Sequence, residues 1–192
     1  SDGFIYYKGE KFIDTSKIIL KGEHNYENIM CAILACKVYG VSDKIIHEVV
    51  SKFSGVEHRL EYVGNINGRE VYNDSKSTNT ESTVIALNSF TKPTVLIMGG
   101  LDRGHSFDSL KEPMVHTKLV VAYGETKNRI KEFCDNINIE CIICDDLVEA
   151  TSIAYDNSKE GNIILLSPAC ASWDQFPNFE TRGKLFKDTI MK

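Results

Sequence analysis

Ile163-Ile164-Leu165-Leu166-Ser167-Pro168-Ala169-Cys170-Ala171-Ser172-Trp173-Asp174-Gln175-Phe176 runs from four uninterrupted aliphatic residues into small polar ones, then into aromatics and acids. The aliphatic run predicts a strand buried on both faces, as in a parallel sheet covered by helices. No packing rule asks for Ser, Ala, Cys and Ser around one Pro; close approach of the backbone to a small polar ligand does. Thr94-Val95-Leu96-Ile97-Met98 repeats the pattern and ends in Gly99-Gly100.

Outward from these two runs, strands are expected at 60–63, 70–73, 94–98, 119–123, 139–144 and 163–166. Helices are expected at 79–88, 106–116, 127–135, 147–158 and 178–191. Repeated crossovers of this kind predict an α/β fold: a Rossmann-like, mostly parallel sheet with helices on both faces. Such sheets bind ligands outside the carboxyl ends of their strands. Asp74, Gly99-Gly100 and Ser167 all fall at those ends, so topology alone brings them together.

The preceding stretch reads differently. Short strands are expected at 4–7, 11–13 and 17–20, then a helix over 25–39 carried by Ile29, Met30, Ile33, Leu34 and Val38 and stopped by Gly40. Ser42 is placed to cap a second helix reaching 53. The pattern changes at Ser54-Gly55, which puts a domain boundary near residue 56 and divides the chain into 1–56 and 57–192.

Composition narrows the function classes. With 42% hydrophobic and 26% charged residues the chain is not disordered. No apolar run approaches the roughly eighteen residues of a membrane span. A net charge of −5, spread along the chain, argues against nucleic-acid binding. Six cysteines (31, 36, 134, 141, 144 and 170) sit mostly in apolar runs, which suits reduced thiols and a cytoplasmic location. Cys141-x-x-Cys144 has no second pair or His nearby, so no metal site is expected there. The chain starts Ser1-Asp2-Gly3 without Met, as a piece of a longer protein would.

Three segments offer chemistry. Asn73-Asp74-Ser75-Lys76-Ser77-Thr78-Asn79 ends a strand and opens a helix, with Thr78-x-x-Glu81 as a capping box. Lys76 beside a helix N-terminus favours an anion, although a solvated lysine fits the residues equally well. Gly99 to Ser106 is a near miss to a phosphate loop, since His105 stands where an ammonium is needed. Arg103 in that loop carries a planar fork of the kind that grips carboxylates, although a solvated loop arginine fits the residues as well. Cys170 is expected to pack as a small buried thiol rather than act as a nucleophile. Asn25 and Asn28 share one face at a helix start, where polar residues are usually caps.

Six ordered motifs carry a resemblance: Gly22-Glu23-His24-Asn25 with Asn28, Gly55 with His58-Arg59, Asn73 to Asn79, Gly99 to Gly104, Ser167 to Phe176, and Asn178-Phe179-Glu180 with Arg182-Gly183. Together they resemble the Mur ligase family, and within it the members that join D-glutamate to UDP-N-acetylmuramoyl-L-alanine in peptidoglycan synthesis.

The resemblance implies an ATP-dependent, amide-forming ligase working through an acyl phosphate. It implies D-glutamate binding by Lys76, Thr78, Arg103, Ser172, Trp173 and Phe179, with Lys76 and Arg103 as the catalytic cations. Family members usually carry Leu or Phe at the position of Trp173, so its contact is expected through the backbone. It assigns Asn25, Asn28, Arg59 and Asp74 to ATP. Residues 1–56 are then the tail of a central ATPase domain and 57–192 the third domain.

Magnesium ligands, the phosphate loop and the uridine site are expected upstream, and the piece alone is expected to be inactive. The expected partners are these small molecules and the upstream domains, with no nucleic acid and no membrane, in a monomeric full-length enzyme. The alternatives are another Mur ligase, a folylpolyglutamate synthetase, or a non-catalytic amino-acid or nucleotide binding module.

Overall fold

A computed structural model describes residues 2–20 and 23–192, without the side chains of residues 23 and 24. It divides into two compact units, Ser1–Gly55 and Val56–Lys192. Gly22, the first residue of the earliest motif, lies outside the described residues.

In the first unit, β1 (Phe4–Tyr7) and β2 (Glu10–Asp14) form an antiparallel hairpin, followed by α1 (Glu23–Val38) and α2 (Asp43–Lys52). Ile5, Ile13, Ile18, Ile29, Ile33 and Ile46 pack into one small core. The strand expected at 17–20 is absent. Asp14 caps a 3-10 turn over Thr15–Lys17 by accepting from Ser16 N at 2.8 Å, and this bends the chain out of extended geometry.

The second unit is built on a six-stranded sheet. Its strands are β3 (Glu61–Ile66), β4 (Arg69–Asn73), β5 (Thr94–Gly99), β6 (Thr117–Tyr123), β7 (Glu140–Ile143) and β8 (Ile163–Leu166). Their order is β3-β4-β8-β5-β6-β7, antiparallel between β3 and β4 and parallel elsewhere. Helices α3 (Thr80–Asn88), α4 (Lys127–Asn136), α5 (Leu147–Asp156) and α6 (Phe179–Ile190) complete the unit.

Alternation along each strand divides the core. Leu96, Met98, Val120 and Leu165 join residues of α3 and α4 on one face. Val95, Ile97, Val121 and Ile164 join residues of α5 and α6 on the other. The fully buried β5 and β8 are thus the aliphatic runs that the pattern marks as two-sided.

Residues 106–116 hold two 3-10 turns, Asp108–Leu110 and Pro113–His116, in place of the expected helix. Pro113 is the cause, because a proline inside that helix would remove a backbone bond and clash with the preceding turn. Among the described residues no helix is long and apolar enough to cross a membrane.

Chain order places the site. From β4 the chain crosses to β5, continues to β6 and β7, and returns through α5 to insert β8 between β4 and β5. The loops that leave β4, β8 and β5 are therefore neighbours at the carboxyl edge of the sheet.

Candidate functional site

The loop after β4 is held from beneath by Asp74, which is 3% exposed. Its carboxylate accepts from Leu60 N at 3.1 Å, from the Ser167 hydroxyl at 2.8 Å and from the Ser77 hydroxyl. Burial pushes its pKa up to about 6, against the lowering effect of those same donors. Lys76 stays exposed, with its ammonium 5.3 Å from the centre of the Phe179 ring, and Thr78 is half-buried. The cap of α3 is Asn79, accepting from Ser82 N at 2.9 Å, rather than Thr78. Thr78 is drawn into the preceding turn, where its N–H donates to the Lys76 carbonyl at 2.9 Å.

The loops after β5 and β8 are knitted together by backbone. Gly99 N donates to Pro168 O at 3.0 Å, and Leu101 N donates to Ala171 O at 2.9 Å. Gly100, at φ +141°, lies so close to Ala171 O that a Cβ would collide with it. Ser172 is buried, whereas Arg103 and Trp173 are exposed, with the guanidinium 4.8 Å from the centre of the indole.

Cys170 is buried with its thiol 3.5 Å from the Thr126 hydroxyl, and burial raises its pKa to about 11, so it is a weak nucleophile here. Cys141 and Cys144 belong to opposite faces of the sheet and share no metal site.

Arg182 was named only as part of the last motif, with no role given to it. It is fully buried on α6, with Nε donating to Ser75 Oγ at 3.0 Å, one Nη to Ser75 O at 2.7 Å and the other to Cys170 O at 3.0 Å. Ser75 Oγ in turn donates to Phe179 O at 2.8 Å. One guanidinium thus ties the β4 loop to the β8 loop and to the start of α6. The available signal was its place on the apolar stripe with Phe186 and Ile190.

His58 was known to sequence reading only through its motif. It is also buried, with Nδ1 2.9 Å from the Asn73 amide, and it leaves its neighbour Arg59 exposed. Asn28, on the first unit, is exposed and Asn25 half-buried.

A magnesium ion fits none of these groups well. Among the described residues, the cluster that could hold a metal is Glu57, His58 and Glu61. The Lys187 ammonium already bridges its two carboxylates at 2.5 and 2.8 Å. Magnesium prefers an octahedron of oxygens that includes water, so no step is assigned to it at this cluster.

Lys76, Arg103 and the buried Ser172 thus stand on loops that leave one carboxyl edge of a mostly parallel sheet with helices on both faces, an α/β domain of Rossmann-like form. Residues 58–170 match the family model described as "Mur ligase, glutamate ligase domain". The UDP-N-acetylmuramoylalanine–D-glutamate ligase of Bacillus cereus strain AH187 is 47% identical over 192 residues, covering 100% of this chain and 43% of that protein. The same-named ligase of Oenococcus oeni is 48% identical over 191 residues, 99% of this chain and 44% of that protein. This chain belongs to the Mur ligase family.

It spans 43% of the length of the Bacillus relative. The solved MurC ligase of Thermotoga maritima shares the fold, with a TM-score of 0.67 at 16% identity over 91% of this chain and 39% of that one. MurF of Acinetobacter baumannii does likewise, at 0.66 and 18%, over 91% of this chain and 39% of that one.

Proposed function

We propose that this chain supplies the amino-acid site of a cytoplasmic, ATP-dependent ligase that joins D-glutamate to UDP-N-acetylmuramoyl-L-alanine. The observation that supports the reading is that the loops bearing Lys76, Arg103 and the buried Ser172 all leave the same carboxyl edge of the sheet. A dicarboxylic amino acid presents two anions, and two cations beside a buried hydroxyl suit it better than a neutral amino acid. Relatives named for D-glutamate ligation support the choice.

Arg103 takes the α-carboxylate by its planar fork, and Ser172 with the backbone near Trp173 and Phe179 takes the γ-carboxylate. Lys76 and Thr78 stand beside the amine and the phosphates. The alanine carboxylate of UDP-N-acetylmuramoyl-L-alanine accepts the γ-phosphoryl group of ATP and releases ADP. The D-glutamate amine then attacks the acyl carbon, loses its proton and expels phosphate, while Lys76 and Arg103 offset the charge that develops. In the second unit, Arg59 and Asp74 are assigned to ATP.

Asp74 already accepts three bonds, which leaves about one of its roughly four lone-pair sites for a ribose hydroxyl. Its main service is to hold the Lys76 loop.

The 192 residues contain no Gly-x-x-x-x-Gly-Lys-Ser/Thr sequence, so residues 1–56 are read as the tail of an ATPase domain whose phosphate loop lies elsewhere in the enzyme. The enzyme containing this chain should release ADP in the presence of the muramoyl substrate and D-glutamate but not L-glutamate, and the 192-residue chain alone should release none. Equal turnover with both enantiomers contradicts the substrate assignment. Turnover by the chain alone contradicts the domain assignment.

A further inference from the structure

We infer that the indole of Trp173 is a positioning platform that holds the Arg103 guanidinium in place before the substrate arrives. The inference deepens the reading above and rests on Arg103 as the carboxylate anchor.

The acid next to Arg103 does not serve it. The Asp102 carboxylate pairs with Arg129 and also accepts from Gly104 N at 2.8 Å. Among the described residues Arg103 enters no ion pair. Its guanidinium instead lies over the Trp173 ring, 4.8 Å from the centroid, and Trp173 as a residue is 63% exposed.

The geometry of the two groups makes this stacking useful. A guanidinium meets an aromatic ring through its planar face, and its N–H donors radiate in the plane of the group. Stacked in this way, the edge that grips a carboxylate stays free while the side chain gives up its rotational freedom in advance. The two loops are fixed relative to each other by the Leu101–Ala171 bridge, only two residues from each partner. An aliphatic residue at 173 would offer packing but no ring electrons, and Lys at 103 would keep the charge but lose the flat face.

Trp173 is the only tryptophan in the chain, so its fluorescence reports on the contact directly. In the ligand-free 192-residue chain, Arg103→Gln should change the intensity or wavelength of the emission, with circular dichroism confirming an unaltered fold. An unchanged spectrum overturns the stacking.

In the enzyme containing the chain, Trp173→Leu should raise the KM for D-glutamate about two- to fivefold, the effect of a partly exposed cation–π contact, with a smaller change in kcat. Trp173→Phe should restore part of the loss. A changed emission together with an unchanged KM in Trp173→Leu overturns the positioning role while leaving the contact in place. If Arg103→Ala itself leaves the KM for D-glutamate unaltered, the underlying anchor assignment fails, and the positioning role with it.

Discussion

In Ser1–Gly55 the aliphatic side chains of Leu34, Val38, Ile45 and Val49 are open to solvent, Val38 by 78%. In Val56–Lys192 both faces of the sheet carry a buried core, and the groups buried at its carboxyl edge include seven polar ones: Asn73, Asp74, Ser75, Ser77, Ser167, Ser172 and Arg182. The first unit leaves apolar surface uncovered, as an element made to pack against something else does. The second accepts the cost of desolvating polar groups, as a unit does when loops must be held at fixed separations. The difference separates a unit with an open apolar helix face from one that buries polar groups beneath its loops, and the loops of the candidate site belong to the second.

The contrast breaks most readily at Arg182. Replacing it with Ala leaves Ser75 O and Cys170 O without their donor and frees the two loops. A loss of at least about 3 kcal/mol in urea unfolding of the second unit is expected, since bonds to a charged donor are worth about 1.5–3 kcal/mol each. A loss below 1 kcal/mol, about that of a surface site, would show that the buried guanidinium does not tie the loops.

Leu96→Ala, in the middle of β5, should cost a comparable ~2–5 kcal/mol but leave the loop geometry intact. Amide spectra of the loop residues can separate the two effects.

Asp74 sharpens the comparison through pH. Its pKa rises from 3.8 unfolded to about 6 folded, so the folded state holds the proton more tightly. Its stabilising contribution is greatest below about pH 4, declines as pH rises through about 6, and is level above. Over that window the chain should lose on the order of 2–3 kcal/mol that an Asp74→Asn variant does not lose. Parallel curves for the two proteins would contradict it.

The smallest effect is expected in the first unit. Leu34→Ser or Val38→Ser should change the stability measured by urea unfolding by no more than about 0.5 kcal/mol.

Legibility in the sequence followed the same division. The strands β5 and β8 announced themselves because burial on both faces leaves an unbroken aliphatic run, and their ends located Gly99-Gly100 and Ser167. The α1 pattern named Ile29, Met30, Ile33, Leu34 and Val38 together, but periodicity could not say which of them would be covered: Ile29 and Ile33 are, the others are not. At 106–116 a helix-like pattern lost to Pro113. The cap of α3 fell one residue later than the capping box placed it, because Thr78 was taken by the preceding turn.

The motifs singled out Lys76 and Arg103, and the structure puts both on loops at the carboxyl edge of the sheet. Arg182 stood in a motif too, but its tying role was not legible, because an arginine between Thr181 and Gly183 reads as a solvated surface residue until the loops that it ties are seen in three dimensions.

The central claim is that the loops after β4, β5 and β8 form one D-glutamate site with Arg103 as its anchor. The most direct test is the pair of Michaelis constants of Arg103→Ala in the enzyme that contains this chain. The KM for D-glutamate should rise by roughly ten- to a hundredfold, the loss of a charge-assisted bidentate contact, while that for ATP stays within about twofold. Equal rises for both substrates would move this loop from the amino acid to the nucleotide and contradict the account.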